Sequence, residues 1–105
     1  MVNTITDQEF HDKVKNHKRL VIKYHADWCG TCRLISPKYK KLSESEPFID
    51  IEFIEVDAEK NPEARKWANV KNLPFFAVVK DGEIVMAEST GKEEKLVEML
   101  QKIAL

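Results

Sequence analysis

With 105 residues the chain is long enough for one core-forming domain and too short for two. Its 43% hydrophobic and 33% charged residues, with three glycines and four prolines, are ordinary for a globular protein. A formal net charge of −1 supplies no field for nucleic acid or an anionic membrane, so neither is an expected partner.

Residues 1–7 contain neither a basic leader segment nor an apolar one, and the longest apolar run, residues 75–79, is far too short to span a bilayer. The expectation is one soluble domain over residues 1–105, cytoplasmic and monomeric. Residues 2–5 read as a short strand. Thr6-Asp7-Gln8-Glu9 then reads as a capping box, with Thr6 as N-cap. The helix it opens carries Phe10 and Val14 on one face and runs to about His17. Residues 20–26 are β-rich, with Leu20, Ile22, Tyr24 and Ala26 on one face. Further on, Leu34, Ile35, Tyr39 and Leu42 recur at helical spacing. Pro37 is expected to kink that helix because it removes a backbone donor and crowds the preceding turn. Residues 43–47 end it.

A second strand-prone run covers residues 49–56. Asn61-Pro62 places an N-cap before a proline at the first helical position, opening a short helix with Ala64, Trp67 and Ala68 facing inward. Residues 75–79 and 83–87 flank Lys80-Asp81-Gly82, a strong hairpin signal. A last helix over about residues 93–104 carries Leu96, Val97, Leu100 and Ile103 as its apolar stripe. The order β-α-β-α-β-α-β-β-α is that of an α/β domain.

The only two cysteines lie in Trp28-Cys29-Gly30-Thr31-Cys32, between a strand and a helix. Two thiols at this spacing open and close a small disulfide ring with little backbone movement, which points to thiol–disulfide exchange. The sulfur of Cys29, at the start of a helix, meets free backbone N–H groups and the positive end of the helix dipole. Both favour the nucleophilic thiolate. Cys32, one turn on and more enclosed, suits a resolving thiol. A zinc site needs roughly four ligands, and His11, His17 and His25 are spread over different elements, so no metal is expected.

These residues resemble the thioredoxin family. Pro37 stands where the family has its helix-kinking proline, and Leu73-Pro74 where it has its cis-proline. Lys80-Asp81-Gly82-Glu83 matches the hairpin between the last two strands, and Gly91 the glycine beside the active site. The resemblance runs over essentially the whole chain. It implies a thioredoxin fold: a central five-stranded mixed sheet in the order 1-3-2-4-5, flanked by four helices. It also implies a cycle in which Cys29 attacks a disulfide and Cys32 releases the product. Trp28, Gly30, Thr31, Leu73, Pro74 and Gly91 would form the client-binding surface. The implied partners are disulfide-containing client proteins and an electron-donating reductase such as thioredoxin reductase, with no bound cofactor.

Three residues depart from the family pattern. Thr31 replaces the usual proline between the cysteines. It adds a donor and a hydroxyl near Cys29, so the potential should be less reducing than the roughly −270 mV of a typical thioredoxin. Lys23 stands where the family has a buried aspartate. Lys23 and His25 share a strand face that should be covered, which makes them candidates for assisting proton transfer at Cys32 or for favouring the thiolate electrostatically. The alternative is that Lys23 pairs with a nearby acid such as Glu55, and that His25 only packs. Phe75-Phe76 follows Pro74 where threonine is common. These departures keep a second function in view: a dedicated redox-sensing or binding module with weak general reductase activity.

Overall fold

Strand and helix alternate as the apolar periods require. The computed structural model describes residues 1–104, in the order β1 (Val2–Thr4), α1 (Asp7–Asn16), β2 (Arg19–His25), α2 (Gly30–Ser43), β3 (Glu52–Asp57), α3 (Pro62–Trp67), β4 (Phe75–Lys80), β5 (Glu83–Ser89) and α4 (Glu93–Gln101). The five strands form one mixed sheet in the order β1-β3-β2-β4-β5. β3 runs parallel to both β1 and β2, whereas β4 is antiparallel to β2 and to β5. This is the expected thioredoxin fold.

Alternation along β2 divides the core. Leu20, Ile22 and Tyr24 pack with Phe10, Val14 and Ala64 on the face covered by α1 and α3. Val21 lies on the other face with Ile35, Tyr39, Phe76, Leu96 and Leu100, under α2 and α4. A strand buried on both faces is nearly continuously apolar, and Lys23 is the charged exception among the buried residues of β2.

Capping organises the first face. The Glu9 carboxylate accepts hydrogen bonds from the Thr6 N–H at 3.3 Å and the Thr6 hydroxyl at 3.1 Å. Asp7 then accepts from the N–H groups of Glu63 (3.1 Å) and Ala64 (2.8 Å), while its own N–H donates to Asn61 Oδ1 at 2.8 Å. Each helix start thus satisfies donors that the other leaves free. Trp67 packs edge-on against Phe10, ring centroids 5.3 Å apart, but stays half-buried.

Several expected boundaries move. Residues 49–51 do not join β3. Pro47 instead supports a 3₁₀ turn over Glu46–Phe48, which turns Phe48 inward and leaves Ile49 57% exposed. Leu34 is 75% exposed, because the inward face of α2 is set by Cys32, Ile35 and Tyr39. In α4 the stripe includes Met99, which is fully buried, and Val97 is only partly covered. Pro37 lies inside α2 without ending it. The β4–β5 turn has positive φ at both Asp81 (53°) and Gly82 (83°), the conformation for which Asp-Gly is suited.

Candidate active site

β2 delivers the chain to the two sulfurs. After His25 a turn closes with the Cys29 N–H donating to the Ala26 carbonyl at 3.1 Å. Cys29 is the N-cap of α2, and its Sγ accepts the Cys32 N–H at 3.1 Å. The cysteines are bonded to each other, with Cα atoms 5.2 Å apart. Both are buried, Cys29 to 4% and Cys32 to 2% exposure. When the bond opens, Cys29 Sγ remains at the electropositive end of a fourteen-residue helix, where an anion is stabilised.

The other expected site residues come from three segments of the chain. Trp28 stands 64% exposed, with its indole N–H donating to Glu59 at 2.9 Å. The Leu73–Pro74 peptide is cis, and Pro74 is buried. Its carbonyl accepts from the Thr90 N–H at 3.2 Å and the Ser89 hydroxyl at 3.0 Å, which ties the segment after β5 to the one before β4. A Cβ on Gly91 would lie 2.5 Å from the Thr31 methyl, so this glycine makes room for Thr31. A Cβ on Gly30 would meet nothing within 4 Å, which leaves that backbone open to approach. Of the two phenylalanines, Phe76 enters the core, 5.6 Å from the Tyr39 ring. Phe75 is half-buried, edge-on to Tyr24 at 5.9 Å.

Behind the sulfurs, a cleft of about 170 Å³ is lined by Lys23, His25, Ala26, Asp27, Cys32, Arg33, Ser36 and Glu55. Lys23 is 2% exposed. Its Nζ lies 3.7 Å from Glu55 Oε2, donates to Ser36 Oγ, and sits 6.0 Å from the Tyr39 ring centroid. The β2–β3 register sets Lys23 directly opposite Glu55. Burial pushes the Lys23 ammonium below the ordinary lysine range, and the charge and hydrogen bond of Glu55 act in the opposite direction. The Ser36 hydroxyl donates in turn to the Cys32 carbonyl at 2.9 Å. The Tyr39 phenol, held well above its usual value by burial, stays neutral and donates to the Ile54 carbonyl at 2.7 Å. His25 is half-buried, and its Nε2 has no hydrogen-bond partner among the described residues.

The structure therefore brings Cys29, Cys32, Thr31 and Gly91 together, with Lys23 and His25 on the cleft behind. Ser36 and Glu59 escaped the sequence reading. Ser36 sits four residues after Cys32, a helical spacing that signals a shared face. For Glu59 beside Trp28 no sequence signal exists. Among the described residues no three or more His, Cys, Asp or Glu side chains gather as a metal-binding group, and no helix is long and apolar enough to cross a membrane.

The thioredoxin family model matches residues 1–102. The chain is 37% identical over 83 residues to thioredoxin-2 of Pyricularia oryzae, covering 79% of this chain and 47% of that protein, so it spans about half of that relative's length. It is 31% identical over 102 residues to thioredoxin of Gallus gallus, covering 97% and 95% of the two chains. Spinach chloroplast thioredoxin f superposes with a TM-score of 0.91 at 28% identity, over 99% of this chain and 87% of that one. With Cys29 capping α2 and bonded to Cys32, a cis Leu73–Pro74 peptide, the matching family model and this fold, the chain belongs to the thioredoxin family.

Proposed function

We propose that the chain is a thiol–disulfide oxidoreductase that reduces disulfides of client proteins through a Cys29/Cys32 dithiol–disulfide cycle. The observation that carries this reading is Cys29 Sγ at the N-cap of α2, accepting the Cys32 N–H at 3.1 Å and one bond away from its resolving partner. Cys29 attacks the client disulfide, and one client sulfur leaves as thiolate. Cys32 then attacks Cys29 in the mixed disulfide, which frees the second client sulfur and closes the ring.

Trp28, Gly30, Thr31, Leu73, Pro74 and Gly91 form the surface on which an extended client segment lies. The open backbone at Gly30 and the exposed indole of Trp28 support this. Lys23 and His25 share the cleft with Cys32, the placement that a part in its proton transfer requires. The oxidised protein is recharged by a separate reductase such as thioredoxin reductase, and it works as a monomer in the cytoplasm without a bound cofactor.

The test is reduction of insulin disulfides by the purified dithiol protein, together with trapping. Wild type is expected to reduce insulin catalytically when a reductant recharges it. Cys32→Ser is expected to accumulate a covalent mixed disulfide at Cys29, and Cys29→Ser to give neither product. Absence of both turnover and trapped adduct would leave the dedicated-module reading in its place.

A further inference from the structure

The cation behind Cys32 has an unusual setting. Lys23 is buried in the middle of the sheet, opposite Glu55 on β3 and Phe76 on β4. Its ammonium is not free to leave. Glu55 Oε2 is 3.7 Å away, Ser36 Oγ accepts its hydrogen bond, and Ser36 is itself anchored on the Cys32 carbonyl. Glu55 is held from its other side by the Thr4 hydroxyl, which donates to Oε1 at 3.1 Å. The cleft that Lys23 lines reaches Cys32 and not Cys29.

We propose that Lys23 is a positioning residue for the resolving step: its ammonium, fixed in the cleft by Glu55 and Ser36, stabilises the thiolate of Cys32. A buried carboxylate in this place would repel that thiolate and have to serve as a base. A buried ammonium has the opposite sign and favours the anion before attack. Because Glu55 supports the charged form of Lys23 against burial, the two residues act as a unit.

The step balances without an added reagent. The Cys32 thiol gives its proton to solvent through the cleft, and the thiolate attacks Cys29 Sγ of the mixed disulfide. The Cys29–Cys32 bond forms as the Cys29–client bond breaks, and the client departs as thiolate and takes a proton from solvent. Two electrons pass from the dithiol to the client. The other charged or titratable groups on the cleft are His25 on β2, Asp27 after it, and Arg33 on α2. Asp27 and Arg33 are exposed and screened by water. Tyr39 presents a neutral ring.

This role rests on Cys32 as the resolving thiol, so the experiment reads the two cysteines separately. Reduced protein is mixed with 5,5′-dithiobis(2-nitrobenzoate) across a pH series. Attack by Cys29 releases one coloured thiolate, and resolution by Cys32 releases a second. Lys23→Met is expected to raise the pH midpoint of the second phase by about one unit, roughly a tenfold slowing below the midpoint, and to shift the first phase less. Lys23→Met leaves the Glu55 carboxylate without its buried partner, which costs stability, so a thermal melt of each variant checks that it is folded under the assay conditions. Lys23→Met/Glu55→Gln, which leaves no unpaired carboxylate, is expected to show the same rise. An unmoved second phase in Lys23→Met, or a double variant that returns to wild type, would overturn the proposal. The latter would trace the shift to an uncompensated Glu55. A wild-type protein with no second phase would instead overturn Cys32 as the resolving thiol.

Discussion

At Cys29 a sulfur takes the place usually held by a hydroxyl or carboxylate at a helix start, accepting the Cys32 N–H at 3.1 Å. Gly30 and Thr31 occupy the first two helical positions, where backbone N–H groups have no partner within the helix. Thr31 matters here through its N–H, because its methyl is turned toward Gly91. A proline at this position fits a first helical turn but removes that donor and its partial positive charge. Thr31→Pro is therefore expected to weaken stabilisation of the Cys29 thiolate and make the protein more reducing. A loss of about 1.4 kcal/mol corresponds to about 30 mV for this two-electron couple. Equilibration of both proteins against glutathione measures the difference, and a variant that is less reducing than wild type would refute the assignment.

Between elements, Glu52 at the start of β3 joins α1 and β1. Its carboxylate accepts from Lys13 Nζ at 3.1 Å and Asn3 Nδ2 at 3.2 Å, with His17 Nε2 at 3.9 Å. Burial alone would raise its pKa. The hydrogen bonds from Lys13 and Asn3, with the charges of Lys13 and His17, outweigh this and hold it below the ordinary carboxylate value. A depressed carboxylate contributes stability that is full above its unfolded-state pKa and disappears as pH falls through the folded one. Glu52→Gln is thus expected to lower stability at neutral pH by about 1 kcal/mol and to approach wild type in acid. Denaturant midpoints at neutral and acidic pH test it, and a deficit that persists in acid would count against it.

The same scale shows what was legible in the sequence. Strong periods and turn chemistry (Thr6 to Glu9, Asn61-Pro62, Asp81-Gly82) placed their elements correctly because local physics decides them. Residues 49–51 misled because strand propensity cannot see that Pro47 and Phe48 start a turn first. Leu34 misled because periodicity does not mark where the covered face of a helix ends, and packing buries Ile35 while leaving Leu34 outside. At the site, the cysteines, Pro74 and Gly91 could be read from their spacing and resemblance. The contact of Thr31 with Gly91 and the anchoring of Lys23 through Ser36 join distant segments, which no local pattern records.

Across the whole molecule, the sheet separates the part that holds the fold from the part that tunes the chemistry. Lys23, Ser36, Tyr39 and Cys32 lie between β2 and α2, whereas Ile22, adjacent to Lys23 in sequence, points into the opposite core with Phe10, Val14 and Ala77. Ile22 is fully buried on the central strand. Its truncation removes apolar contacts and leaves a cavity that neighbours fill only in part, at a cost of about 2–5 kcal/mol. That is a large fraction of the roughly 5–15 kcal/mol that holds a domain together. Ile22→Ala is therefore expected to lower the denaturant midpoint substantially while the surviving folded protein keeps the wild-type pH midpoint for resolution by Cys32. Lys23→Met/Glu55→Gln, which removes both charges of the buried pair, is expected to do the reverse, moving the pH midpoint with little loss of stability. If Ile22→Ala shifted the pH midpoint as far as Lys23→Met does, the two faces would be coupled through β2. The electrostatics at Cys32 would then belong to the strand as a whole rather than to its one buried cation.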